Sequence, residues 1–297
     1  MAHDALRQAF NSREELAAYI ADTFGEIILS SHTDISPFVG GRTAALAQLR
    51  QMQPLHYGRT RNFYNGAVTQ LSPYIRHGIL TLAEVRDAAI DSANDNTGDS
   101  DTDSQGEIFP AHRKQKAHAP AARIEKLLQE LAWRDFWRRL YGELGEDALW
   151  QDQEAYKTGF SAEDYADTLP DDIANGETGI AAIDHFIGDL LRTGYMHNHT
   201  RMYVASYVVH WRRVKWQAGA RWFLTHLIDG DIASNNLSWQ WVASTFANKP
   251  YIFNLENVRK YCEAGGVNCS AQDNAVLDAS YDTLSQRLFP HGQGGNA

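Results

Sequence analysis

The sequence predicts an all-α protein, on three observations. Apolar residues recur at helical spacing: Ile124, Leu127, Leu128 and Leu131 fall at i, i+3, i+4 and i+7, the stripe of a helix packed on one face. Helix start and stop signals bracket such stretches, with Ser12 and Glu15 at capping-box spacing and Gly194 closing an apolar run. No strand-rich region and no internal repeat interrupts them. We expect one helical domain over residues 1–297, with an acidic loop or linker inside it at 91–120.

The first predicted helix is SREELAAYIADTFGEIIL, opened by Ser12, and GGRTAALAQLRQM reads as the second. Residues 57–75, YGRTRNFYNGAVTQLSPYI, change in character. Thr69-Gln70-Leu71-Ser72 precede Pro73, and small hydroxyl residues with free N–H groups beside a helix start suit a phosphate or pyrophosphate. The commoner reading of such a run is a helix N-cap followed by Pro at the first helical position.

The stretch DSANDNTGDSDTDSQGE is acidic, nearly free of apolar residues and rich in turn formers, which marks a surface loop or disordered linker. Asp99, Asp101 and Asp103 alternate like the start of a calcium loop. Ser104 stands where that loop needs Gly, however, and Pro110 where it needs Glu, so an EF-hand is rejected. The basic HRKQKAH that follows reads as part of the solvated loop, with a DNA contact as the alternative.

A helix over 122–141 carries two faces. Its core stripe is the one quoted above; Glu130, Trp133, Arg134 and Trp137 repeat the spacing on another side. Tryptophans beside a carboxylate and a guanidinium suit a flat ligand with polar edges, such as a base, and equally a helix packed between two layers with a Glu–Arg pair at its rim. Residues 142–177 show no catalytic pattern. GETGIAAIDHFIGDLLRTG is the next helix, with Ile183, Phe186, Ile187, Leu190 and Leu191 inward. His197 and His199 lack a third ligand at a usable spacing, so no metal site is expected. A short periodic run spans Ala275–Leu288, and HGQGGNA should fray.

Bulk properties narrow the function. A formal net charge of −10 excludes nucleic-acid binding through bulk charge, though not a local basic face. No apolar run reaches the roughly 20 residues of a membrane span, and the charged N-terminus lacks a signal-peptide core, so we expect a cytoplasmic protein without membrane contact. Two cysteines, Cys262 and Cys269, are too few for a disulfide framework, a four-thiolate cluster or an all-Cys zinc site.

The motifs also fall in a telling order. Tyr57 to Asn62 (YxxxRN), TQLSPYIRHG, ELAWRDFW, TGxxxID, TGYMHNHTRM, LIDGDIASNN, WQW and KPYIFN together resemble the C-terminal, FAD-binding helical domain of the DNA photolyase and cryptochrome family, over roughly residues 39–254. The likeness is nearest to the class I type that repairs cyclobutane pyrimidine dimers. The resemblance implies FAD as cofactor, ultraviolet-damaged DNA as partner and light-driven electron transfer from reduced flavin to a flipped dimer. A cryptochrome-like light or redox sensor with a protein partner is the alternative it implies.

Carried over by position, Tyr57 and the segment Val68, Thr69, Gln70, Leu71 and Ser72 would hold the FAD pyrophosphate and ribityl region. Asp229 and Asp231 would bind the folded isoalloxazine and adenine end, with Arg201 ion-paired to Asp229. Asn235 would face flavin N5, where a neutral amide accepts without imposing a charge. Glu130 would hydrogen-bond to the damaged base and partly protonate it. Trp133 and Trp241 would form an L-shaped wall for the dimer, with Asn198 and Met202 completing the pocket and Arg61, Arg134, Trp137 and His199 at the DNA or pocket edge. Trp239 and Trp216 match the first two members of the relay that photoreduces the flavin; Tyr165 or Trp150 would be the third. Leu127 replaces a Trp of the family, His199 an Arg, and the PYIFN stretch lacks an Arg, each removing a contact to FAD or DNA. Nothing in the sequence resembles the family's N-terminal antenna domain, so FAD alone is expected as chromophore.

Overall fold

The computed structural model describes residues 6–7, 9–25, 36–95 and 120–291. From the N-terminus run α1 (Arg13–Phe24), α2 (Arg42–Arg50), α3 (Pro54–Thr60), α4 (Ser72–Arg76) and α5 (Leu82–Asp95). Next come α6 (Pro120–Arg123), the long α7 (Glu125–Leu144), α8 (Glu146–Leu149) and α9 (Asp171–Asn175). The C-terminal part holds α10 (Ala181–Thr193), α11 (Asn198–Ser206), α12 (Trp216–His226), α13 (Ile232–Ala243), α14 (Leu255–Cys262) and α15 (Tyr281–Leu288). Among the described residues the extended chain amounts to one isolated bridge, Ala166 with Val214, and no helix is long and apolar enough to cross a membrane.

Most predicted helices form, with instructive differences. Ser12 caps α1 by accepting from Glu15 N at 3.1 Å, but the Glu15 carboxylate accepts from Asn11 N at 2.7 Å, so the box closes one residue early. The acidic stretch does not begin at 91: Asp91 to Asp95 complete α5, held by buried Val85, Ala89 and Ala93 on its inner face. The calcium-like aspartates, HRKQKAH and all but the first residue of HGQGGNA lie outside the described residues. The predicted 122–141 helix is two pieces, because Ile124 leaves helical geometry between α6 and α7 to bury its side chain. Its partner Leu127 is also buried, and Leu128 and Leu131 are partly so.

The largest core lies between α10, α11, α12, α13 and α14, where Ile183, Phe186, Ile187, Leu190, Tyr203, Trp216 and Phe223 are among the buried residues. Smaller clusters join α2, α4 and α5, and α3, α5 and α7. Fully burying each such side chain contributes roughly 1.5–3 kcal/mol, so this core dominates the stability. Gly194 ends α10 in the left-handed region (φ 70°), as its position predicts. A Cβ there would sit 2.7 Å from Ile228 Cγ2, and the Gly194 carbonyl accepts from Ile228 N at 2.8 Å. That close approach brings the Leu227–Asp231 loop against α11. Beyond Ser206 the α11 helix widens into a π-helical turn over Tyr207–Trp211, where His210 Nε2 donates to Val242 O (2.9 Å) and ties it to the end of α13.

Candidate cofactor and substrate site

A cavity of about 410 Å³ opens where α3, α7, α11, α13 and the loops before α4 and α13 converge. Its polar floor is built by residues far apart in sequence. Arg201 Nη2 donates to both oxygens of Asp229, at 3.0 and 2.8 Å, while Arg201 Nε donates to Met196 O at 2.9 Å. Ser72 Oγ donates to Asp229 Oδ2 at 2.6 Å. A helix does start here with Pro73 in its first turn, but Leu71 holds the cap position without a side-chain bond, and Ser72, the first helical residue, turns its hydroxyl to Asp229. Burial alone would raise the Asp229 carboxyl, but Arg201 and the hydrogen bonds from Arg201 and Ser72 outweigh it and hold the group below its ordinary value. It is a fixed anion.

The same cavity carries polar atoms without partners. Arg134 Nε and Nη2, Ser234 Oγ and Trp239 Nε1 are buried, unbonded and on cavity-lining residues. The nearest carboxylate to Arg134 is Asp231, at 3.9 Å, beyond hydrogen-bond reach. Asp231 meanwhile caps α13 by accepting from Ser234 N at 3.0 Å. Each buried unsatisfied polar group costs about 1–3 kcal/mol, so a wall of them is the mark of a polar ligand site. Asn235 donates its amide N–H groups to Ala220 O and Asn236 Oδ1, both at 3.1 Å. Two acceptors fix the orientation of the amide and leave its Oδ1 to accept.

The segment before α4 approaches the cavity with Val68, Thr69, Gln70 and Ser72. Gln70 holds φ 52°, a left-handed backbone rare outside Gly and Asn, as is common where strain serves a site. Leu71 does not face the ligand space: it is fully buried in the core with α2 and α5. Tyr57 lines the cavity from α3; burial first, then Glu130, pushes its hydroxyl up to about 12, so it stays a neutral donor.

The mouth is aromatic. Trp137, Trp241 and Phe246 line it, with Asn198 and Met202 behind, and Trp241 is 44 % exposed. Trp133, expected as one half of the wall, is not a lining residue; it is half exposed and stacks on Trp137, ring centroids 5.2 Å apart and 20° from parallel. Glu130, Arg134 and Trp137 share the cavity side of α7, and Trp133 lies one step round. Glu130 is not in a dry aromatic niche: Arg61 Nη1 is 3.2 Å and Lys126 Nζ 3.0 Å from its Oε1. His199, expected at the pocket edge, is buried behind it, bonded to Asn62 O at 2.8 Å and packed on Tyr203 and Tyr261.

Trp239 connects the cavity with the core. Its ring meets Phe223 edge-on (4.9 Å) and lies over Gly219, where any Cβ would overlap it. Trp216, one turn from Gly219 on α12, is fully buried and does not line this cavity. Trp150 stacks on it at 6.1 Å and 3°, whereas Tyr165 stacks on Tyr156 and bonds to Thr158. Sequence reasoning missed Tyr195, which lines the cavity with Arg201 5.4 Å over its ring, and Phe246 and Ser234. Ser234 stands between the aspartates and the Asn pair, a signal that was readable; Tyr195 and Phe246 carry none.

Residues 127–266 match the family described as the FAD binding domain of DNA photolyase. The deoxyribodipyrimidine photo-lyase of Synechococcus is 30 % identical over 245 residues, which is 77 % of this chain and 44 % of that one. The match thus spans less than half the length of the curated relatives. Among solved structures, a class III photolyase from Agrobacterium tumefaciens superposes with a TM-score of 0.59 at 21 % identity, covering 91 % of this chain and 57 % of that one. A cryptochrome from Synechocystis gives a TM-score of 0.59 at 22 % identity, covering 86 % and 47 %. The helical fold, the matched stretch and the order of the cavity-lining motifs agree: the chain belongs to the DNA photolyase and cryptochrome family, through its helical FAD-binding domain.

Proposed function

We propose that the chain binds FAD in the 410 Å³ cavity and repairs cyclobutane pyrimidine dimers under blue light. The observation that carries this reading is one cavity lined by two unlike sets of groups. One set is a fixed anion, a fixed amide acceptor and unpaired buried donors; the other is Trp137, the exposed Trp241 and the Glu130 carboxylate. When bound and reduced, FAD supplies a light-excited electron to the dimer. Asp229, held by Arg201 and Ser72, and the unpaired atoms of Arg134 and Ser234 bind the polar parts of the cofactor. Asn235 Oδ1 accepts a flavin N–H without adding charge. Trp137 and Trp241 flank an unstacked base and exclude water, which matters because flipping costs a few kcal/mol and least for a damaged pair. Glu130 hydrogen-bonds to the damaged base, with Arg61 and Lys126 balancing its charge.

A flavin light or redox sensor that signals to a protein partner is the second reading. It is favoured by the net charge of −10, which weakens a pull on DNA. Comparing wild type with Glu130→Ala tests the first. FAD content should be equal, and the variant's repair yield on a dimer-containing oligonucleotide roughly tenfold lower, the loss of one hydrogen bond. Equal repair by both would remove Glu130 from the mechanism.

A further inference from the structure

Trp216 is fully buried, yet its single polar atom leads out of the core. Its Nε1 donates to Asp152 Oδ1 at 2.6 Å, and Asp152 stands exposed on the loop after α8. Gln217 Nε2 donates to the same oxygen at 3.0 Å and fixes the carboxylate. The other ionisable ring nearby is Tyr156, whose hydroxyl is pushed up by burial and further by Asp152, so it remains protonated. Towards the cavity Trp239 covers Gly219, and its Nε1 is buried without an acceptor. Away from the cavity Trp150 stacks on Trp216, and Arg221 sits 4.4 Å over the Trp150 ring.

These three tryptophans differ in what happens when one loses an electron. An indole radical cation is a far stronger acid than the indole it came from. Trp239 has no group to take its proton. Trp150 faces a guanidinium, and an attraction for the neutral ring becomes repulsion once the ring is positive. Trp216 alone has a carboxylate in hydrogen-bond contact, and that carboxylate is open to water.

We propose that Asp152 is the proton acceptor that ends the electron relay at Trp216. The inference rests on the reading of the cavity as an FAD site with Trp239 and Trp216 as relay. The oxidant is photoexcited oxidised flavin, which takes one electron from Trp239, and Trp239 is refilled from Trp216. The Trp216 N–H bond then breaks, its proton moving to Asp152 and on to water, and a neutral indolyl radical remains until an external thiol restores the electron and the proton. With no cation left in the core, the electron is not drawn back. Trp150 shields Trp216 and is not oxidised.

The test is flash excitation of the FAD-loaded protein followed by transient absorption, in which cationic and neutral indolyl radicals have distinct spectra. Wild type should give the neutral radical, formed more slowly in D2O. Asp152→Asn keeps the shape and an acceptor oxygen but is no base; its radical should stay cationic and recombine faster by roughly tenfold or more, a barrier change of about 1.4 kcal/mol. Trp150→Phe should still give the neutral radical. An unchanged neutral radical in Asp152→Asn, or its loss in Trp150→Phe, overturns the assignment while the relay stands. A Trp216→Phe protein that photoreduces like wild type overturns the relay itself, and Asp152 with it.

Discussion

At Asp229 a carboxylate 5 % exposed meets a guanidinium that is itself partly buried, and the site depends on both being charged. Removing one partner of a fully buried pair costs 3–5 kcal/mol; because Arg201 keeps some solvent, Asp229→Asn should cost about 2 kcal/mol and abolish FAD retention. Chemical unfolding with and without flavin measures both effects. The same pair sets a pH dependence. Burial raises the Asp229 carboxyl, Arg201 and Ser72 lower it more, and the net folded value lies below the unfolded one. Its contribution is therefore complete above the ordinary carboxylate range and is lost as pH falls through the lowered folded value. Stability measured from neutral to acid pH should fall less steeply in Asp229→Asn than in wild type. An identical acid limb would mean that the pair stabilises nothing. The Arg201–Asp229 pairing was legible in the sequence only through the family's motif order. Asp152 was not legible at all, since its bond to Trp216 spans 64 residues and the surrounding loop has no periodicity to read.

Among elements, α12 and α13 pack in close contact where Gly219 lies under Trp239. Gly219→Ala forces overlap in a packed core and should destabilise the protein by about 1–3 kcal/mol, visible as a lower melting temperature. It should also displace Trp239 from the cavity wall, which flavin photoreduction yield would report. A variant as stable and as photoreducible as wild type would show that the contact is slack. Helical periodicity made α7 and α10 readable, because Ile183, Phe186 and Leu190 recur at the spacing of one buried face. It did not resolve which tryptophan of α7 faces the ligand. Positions 130, 133, 134 and 137 all lie on neighbouring sides of one helix, and only packing against α13 turns Trp137 inward and leaves Trp133 on the rim. The end of α5 was misplaced for a related reason: Asp91 to Asp95 look like loop, and it is the buried alanines Ala89 and Ala93 that hold them helical.

On the scale of the whole molecule, the cavity joins the small clusters around α2, α3 and α5 to the large C-terminal core, so a ligand in it links the two parts. Binding to the folded state alone stabilises by about 2.7 kcal/mol at a hundredfold excess over Kd. Adding FAD to flavin-free protein should thus raise its melting temperature by several degrees, and no shift would mean that the folded chain does not bind it. The all-α architecture was legible in the sequence, as was the cavity's residue set in large part, because motif order survives where contacts do not. Burial of His199 and Leu71 was hidden, since each depends on elements distant in sequence. The most direct test of the account is restoration of thymines in a dimer-containing oligonucleotide by photoreduced, FAD-loaded protein, under blue light against a dark control. Light-dependent restoration, with none in the dark, is the predicted result. An intact dimer after illumination of protein that holds and photoreduces FAD would contradict repair and leave the sensor reading in its place.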